Sequence, residues 1–132
     1  MSLTSASILK DGTIAVTGGT ATPFTRLSGD NTSAKASFDG TDFLSRLVAV
    51  FTRKEPKTNA GSPDGYTQIR RNVFLKIPRT LASGSLTYDT VKIEFARSVE
   101  TTAAQLATTK VYAAQLIQDS DFDEFWEEGS LD

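Results

Sequence analysis

The sequence contains no cysteine and no histidine. Their absence excludes disulfides, thiolate nucleophiles and the commonest zinc ligands together. It also removes the side chain that titrates most readily near neutral pH. Ser–His and Cys–His partnerships cannot be built, and no carboxylate, lysine or tyrosine constellation takes their place. The chain is therefore expected not to be an enzyme and to hold no cofactor or metal. Long apolar runs are missing too, so no membrane-spanning helix is expected. The start, Met1-Ser2-Leu3-Thr4, lacks the charge and apolar stretch of a signal peptide, which points to a cytosol-like compartment.

What is present suits one globular domain over residues 1–132 with an ordinary 39% of hydrophobic residues. The net charge of −2 hides an uneven distribution. Residues 46–97 carry ten basic and four acidic side chains, and residues 98–132 carry one basic and eight acidic. A basic middle and an acidic tail predict two surfaces with different partners.

Residues 1–19 read as a hairpin. Short β-prone runs, Ser7-Ile8-Leu9 and Thr13–Thr17, flank Lys10-Asp11-Gly12, and Asp-Gly between such runs is a hairpin signal. Residues 20–42 are polar loops with one weak strand near 35–38. Phe43–Thr52, Tyr66–Ile77 and Leu86–Arg97 read as three strands, the last two of them long, and together with their connections they make a main sheet over 43–97. In the second of them Ile69, Val73, Leu75 and Ile77 share one face with Arg71, while Gln68, Arg70, Asn72 and Lys76 share the other with Phe74. That period of two marks a sheet half-buried on one side. Pro78 is expected to close the strand. In the third strand Val91, Ile93 and Phe95 point one way, and Tyr88, Thr90, Lys92 and Glu94 the other.

Residues 98–128 then turn helical. Ser98 is a candidate N-cap. Thr101–Gln118 is rich in Ala, Leu and Gln, and its apolar positions nearly encircle the helix. Such a helix is contacted from more than one direction, and in so small a domain a second subunit is the natural source. Asp121–Glu128 reads as a short acidic helix anchored by Phe122, Phe125 and Trp126. Strands followed by helices give an α+β fold, with helices on one sheet face and the basic face left bare. Asp119-x-Asp121-x-Asp123 resembles the start of a calcium loop, but Glu124 and Ser130 occupy the positions that need Gly and Glu. Gly18-Gly19-Thr20 lacks the Lys-[Ser/Thr] of a phosphate loop.

Three stretches carry a resemblance. One is the alternating strand ending in Lys76-Ile77-Pro78. Another is Tyr88-Asp89-Thr90-Val91-Lys92-Ile93-Glu94-Phe95. The last is the passage through Ser98 into an Ala/Leu-rich helix followed by a short second helix. In order and spacing they resemble the coat proteins of the single-stranded RNA bacteriophages, the levivirus family. The resemblance covers most of the chain and is most specific over residues 43–128. It implies an obligate, intertwined homodimer whose two sheets join into one, with the helices crossing over the partner. Leu106, Val111, Ala114, Phe122, Phe125 and Trp126 then fall at the dimer interface. It further implies an icosahedral shell, assembled in the host cytoplasm, whose bare sheet face turns inward. That face would bind a genomic RNA hairpin for packaging and translational repression. Loop 79–85 matches a family loop that lies at the symmetry axes, which makes it the expected place for subunits to switch conformation.

The residues expected to meet RNA are Arg46, Thr52, Gln68, Arg70, Asn72, Lys76, Tyr88, Thr90 and Lys92. Basic side chains neutralise phosphates, and single-stranded bases stack on aromatic rings and hydrogen-bond through their edges. Tyr88 aligns with the family's stacking tyrosine, and Thr90 with a position that helps read the RNA. Val48, Val50 and Phe74 make the face more apolar than a pure phosphate binder needs. A different class of function, a stand-alone RNA-binding module that uses the same face without forming a shell, is compatible with the same residues. No membrane and no small-molecule substrate is expected as a partner.

Overall fold

The computed structural model describes residues 3–38, without the side chain of Phe38, and residues 46–132. The chain forms two compact units, Thr20–Glu100 and a second made of Met1–Gly19 with Thr101–Asp132. The order of elements is the α+β one expected, strands and then two helices.

The first unit is an antiparallel meander. Its strands are β1 (Thr25–Gly29), β2 (Ser33–Phe38), β3 (Leu47–Lys54), β4 (Ile69–Thr80) and β5 (Leu86–Arg97), adjacent in space in that order. β5 lies where the sequence places it. Of the strand expected over 43–52, residues 43–45 lie outside the described residues, and the observed strand runs on to Lys54. β1 is a strand that the sequence reads as loop. It is exposed throughout, Leu27 included, so its order comes from the ladder with β2 rather than from a buried face. A bulge at Leu27 interrupts that ladder between Arg26↔Ala36 and Ser28↔Lys35.

Pro78 does not close β4, which continues to Thr80. The β3 ladder along β4 stops at Val48↔Lys76, whereas the β5 ladder runs on through Pro78↔Tyr88 to Thr80↔Leu86. Among the described residues, Pro78 therefore stands beyond the end of the β3 ladder, where proline interrupts the pairing least. The connection 81–85 is a closed turn, with the Leu81 N–H donating to Ser85 O at 2.8 Å and the Gly84 N–H to Leu81 O at 2.9 Å.

Register assigns the faces. Val73, Leu75 and Ile77 share one face with Phe51, Ala49 and with Ile93 and Val91. Among the described residues the buried apolar side chains are only Ala36 and Ala49, opposed across β2 and β3 on that same face. Phe51, Val91 and Ile93 remain more than a third exposed. Among the described residues this face is rich in β-branched and aromatic side chains, yet its buried apolar members are alanines.

Turns are held by carboxylates. Asp30 Oδ1 accepts the N–H groups of Thr32 at 2.7 Å and Ser33 at 2.9 Å, closing the β1–β2 turn. At the neighbouring Gly29 an added Cβ would lie 2.7 Å from Ser33 O and 2.9 Å from Ala34 Cα. Both obstacles are backbone. Gly29→Ala is expected to lower sheet stability by about 1–3 kcal/mol, as overpacking does; an unchanged urea midpoint would contradict this close approach.

Asp64 anchors the β3–β4 connection. Its Oδ2 accepts from Ser98 Oγ at 2.5 Å and its Oδ1 from the Tyr66 N–H at 3.1 Å. The Ser98 hydroxyl first, then the Tyr66 N–H, hold this carboxyl below its ordinary value of 3.8. A depressed carboxyl stabilises the fold fully above the unfolded value, and that contribution is lost as pH falls through the folded one. Sheet stability is thus expected to hold steady down to about pH 4 and decline below it. Ser98→Ala should shallow that acid-side decline, which urea unfolding as a function of pH reads directly. An identical decline in the variant would remove Asp64 from the explanation.

In the second unit, α1 (Ala103–Gln118) starts at Thr102 and not at Ser98. Thr102 and Gln105 form a reciprocal capping box, 3.2 Å from the Gln105 N–H to Thr102 Oγ1 and 3.0 Å from the Thr102 N–H to Gln105 Oε1. Ser98 is engaged instead by Asp64. After a 3-10 turn at Ser120–Phe122, α2 spans Asp123–Glu128 and ends on Gly129 in the left-handed conformation. Trp126 Nε1 donates to the Leu116 carbonyl at 2.8 Å, folding α2 back on the end of α1.

The N-terminal hairpin is not formed as paired strands. Its turn is present, with Asp11 at φ 59, but among the described residues 6–24 are in no strand. Two short strands alone make a marginal hairpin. Leu9 finds its rung on α1, where buried Gln115 accepts the Leu9 N–H at 2.8 Å and donates to the Leu9 carbonyl at 2.9 Å. A side-chain amide carries one donor and one acceptor group, as a peptide does, so Gln115 substitutes for a strand partner. Asp121 accepts from the Ser7 N–H at 2.9 Å, and Asp119 caps the 3-10 turn. These two members of the acidic run thus have structural partners.

Candidate nucleic-acid interface

The opposite face of the sheet collects the predicted side chains. Even-numbered residues of β4 pair with even-numbered residues of β3 and β5: Asn72 with Thr52 and Glu94, Phe74 with Val50 and Lys92, Lys76 with Val48 and Thr90, and Pro78 with Tyr88. Cross-strand partners share a face in an antiparallel sheet. Thr52, Arg70, Asn72, Lys76, Tyr88, Thr90 and Lys92 therefore lie on one face, as the period-two reading expects. Gln68 joins them through its Oε1, which accepts from Arg70 Nη2 at 3.4 Å.

The face has two unlike ends. At one, Val48, Val50 and Phe74 form the floor of a hollow of about 170 Å³ walled by Lys35, Arg46, Lys76 and Tyr88. Lys76 Nζ lies 3.9 Å from the centre of the Tyr88 ring, a cation–π contact that holds both side chains up from the sheet. Three cations around an apolar floor and a ring can accept a planar apolar group and neutralise an anion attached to it. The departure noted in the sequence, Val48, Val50 and Phe74 among polar neighbours, is what makes this floor.

At the other end Glu94 takes charge of the donors. Its carboxylate pairs with Arg70 and accepts from Asn72 Nδ2 at 3.2 Å. Arg70 first, then Asn72, hold the Glu94 carboxyl below its ordinary value, so it stays charged. Arg70 and Asn72 are thus on the predicted face but already occupied by an acid, whereas Lys35, Arg46 and Lys76 gather at the hollow. Lys35 is the contributor that sequence reasoning missed. It lies in the weak strand, and only the register Lys35↔Val50 brings it to the hollow.

A larger cavity, about 440 Å³, lies on the apolar face among Phe51, Val73, Ile93 and Phe95. Arg71 there pairs with Glu55 at 3.3 Å. Size alone does not make this cavity the anion site, because both of its arginines, Arg53 and Arg71, are engaged by Glu55 and Asp30 adds a second acid to its wall.

The residues expected at a dimer interface lie in the second unit. Leu106, Val111 and Ala114 are half-buried on α1 and Phe122 is half-buried in the 3-10 turn, while Phe125 and Trp126 on α2 stay exposed. The two rings meet edge to face at 5.0 Å. Of all α1 residues only Gln115 is buried, although the helix is apolar around most of its circumference.

No protein-family profile and no curated protein matches the sequence. Solved structures do match. The virus-like particle of bacteriophage GQ-907 contains a chain 26% identical to this one, with a TM-score of 0.84 and coverage of 99% of this chain and 100% of that one. The virus-like particle of bacteriophage AVE019 matches at 8% identity and a TM-score of 0.66, over 88% of this chain and 92% of that one. That of Beihai levi-like virus 21 matches at 13% identity and 0.58, over 95% and 97%. The last two likenesses are of fold alone, while the first spans the whole length at an identity that sequence patterns also register. The chain carries the coat-protein fold of the levivirus-like bacteriophages.

Proposed function

We propose that the chain is the shell-forming coat protein of an RNA bacteriophage, that it acts as an obligate homodimer, and that its cationic sheet face binds a genomic RNA hairpin. The observation that carries this reading is the unlikeness of the two sheet faces. One is apolar, with Phe51, Val91 and Ile93 each more than a third exposed; the other holds Lys35, Arg46 and Lys76 around a hollow beside Tyr88. The two units would then work as one coat-protein domain, with the acidic helices of each copy covering the apolar face of the other, where Arg53 and Arg71 stand beside Phe51 and Phe95.

RNA on the inner face would serve packaging and, through a hairpin, translational repression. Phosphates meet the cations and an unstacked base enters the hollow against Tyr88. Assembly in the host cytoplasm and residence in the virion follow from that role, which needs no catalysis. Among the described residues no helix is long and apolar enough to cross a membrane. Sedimentation of the expressed chain tests this against a stand-alone RNA-binding module. Megadalton particles with nuclease-protected RNA support the coat protein; a lone monomer at every concentration contradicts it.

A further inference from the structure

The dipeptide Asp-Gly occurs at Asp11–Gly12 and at Asp64–Gly65 in two opposite settings, and a third copy, Asp39–Gly40, lies outside the described residues. We propose that Asp11–Gly12 is a site of spontaneous covalent modification, converting aspartate to isoaspartate, and that the fold protects Asp64–Gly65 from the same reaction.

The reaction needs no reagent beyond water. The backbone nitrogen of Gly12 attacks Cγ of the protonated Asp11 carboxyl group. The new C–N bond forms, the nitrogen loses its proton, and one carboxyl oxygen leaves as water. The product is a five-membered succinimide. Water then adds back. Opening the bond between nitrogen and the former side-chain carbonyl restores aspartate. Opening the bond between nitrogen and the main-chain carbonyl routes the backbone through the side chain, as isoaspartate. Mass is unchanged overall, and nothing is oxidised or reduced.

The structure leaves the reacting carboxyl group at liberty at Asp11. The residue is exposed, and no described hydrogen bond engages its carboxylate. Gly12 places no side chain beside the attacking nitrogen. Asp11 is also the one described non-glycine residue at positive φ, 59°, where a β-carbon crowds the following carbonyl. Isoaspartate moves that carbon into the main chain and removes the crowding.

At Asp64 each atom is taken. The Gly65 N–H donates to Ser62 O at 3.0 Å, so the attacking nitrogen is pinned. Both carboxyl oxygens accept, from Tyr66 N–H and Ser98 Oγ. The same contacts keep the carboxyl ionised, the form from which oxygen leaves poorly. The consequence at Asp11 is local and structural. One extra backbone carbon enters two residues after Leu9, whose only described rung is Gln115. Modification would lengthen the N-terminal segment where Asp11, Gly12 and Thr13 lie beside Ala107, Thr108 and Val111 of α1.

The test ages the purified full chain at neutral pH and physiological temperature. It is then digested with an endoprotease that cleaves before aspartate but not before isoaspartate. The three Asp-Gly sites give separate fragments, so Asp39 does not enter the comparison. Independent confirmation comes from methyl transfer by an isoaspartyl methyltransferase to the fragment holding residue 11. Uncleaved Lys10–Asp11 is expected to accumulate several-fold faster than uncleaved Pro63–Asp64, and Ser98→Ala should raise the rate at Asp64 alone. Equal rates at the two sites, or no accumulation at Asp11, would overturn the proposal.

Discussion

Ile93→Asp is expected to abolish particle formation. Ile93 stands mid-strand on β5, paired with Val73, and is 36% exposed in the single chain. In one copy an aspartate there still reaches water, so the ladder, held by backbone bonds to β4, should survive. Under the helices of a second copy the same carboxylate would be buried without a partner. Leaving a charge uncompensated in an interface costs about 3–5 kcal/mol, which raises the dimer dissociation constant roughly 150- to 5,000-fold. The expected picture by analytical ultracentrifugation is dissociated chains, with neither dimers nor particles at concentrations where the wild type assembles. Ile93→Val, which keeps the apolar surface, should still assemble. If Ile93→Asp particles form at the normal yield, the apolar face is not the dimer surface.

Tyr88→Ala is expected to separate RNA binding from assembly. Tyr88 walls the hollow and carries Lys76 against its ring. Removing the ring deletes the stacking surface, worth roughly 1–3 kcal/mol per base, or about 5- to 150-fold in affinity. It also frees Lys76 from its support, although the charge stays. RNA extracted from the wild-type particles and bound to the variant dimer at fixed salt is the suitable probe, because phosphate binding is salt-dependent. Tyr88→Phe keeps the ring and should retain most of the affinity. Sedimentation of both variants should match wild type. Unchanged affinity of Tyr88→Ala would move the site away from the hollow.

The long strands and the main helix were legible in the sequence because each carries a period that physics enforces. β4 alternates between apolar and basic side chains, and β5 alternates beside it, so both faces could be assigned before any register was known. Other features have no local signature. β1 is exposed throughout and owes its existence to β2. Pro78 signals an end, yet the neighbouring strand on that flank stops first. Asp11-Gly12 does form the expected turn, but the hairpin around it gives way to a rung between Leu9 and the distant Gln115. Thr102 takes the cap from Ser98 because Gln105 completes a box that Ser98 lacks, and Asp64 engages Ser98 instead.

The candidate site divides in the same way. Its membership on one face followed from alternation. Its electrostatics did not, because Glu94 falls opposite Asn72 and reaches Arg70 only when β4 and β5 align. Lys35 reaches the hollow only through the β2–β3 register. Alternation in sequence fixes which face a side chain occupies, whereas the partner it meets there is a property of pairing.

Cryo-electron microscopy of particles made by the expressed chain tests the central claim most directly. The account predicts closed shells of paired copies, with the face bearing Lys76 and Tyr88 turned inward and RNA density lying against it. Absence of particles, or shells in which that face points outward and carries no RNA, would contradict it.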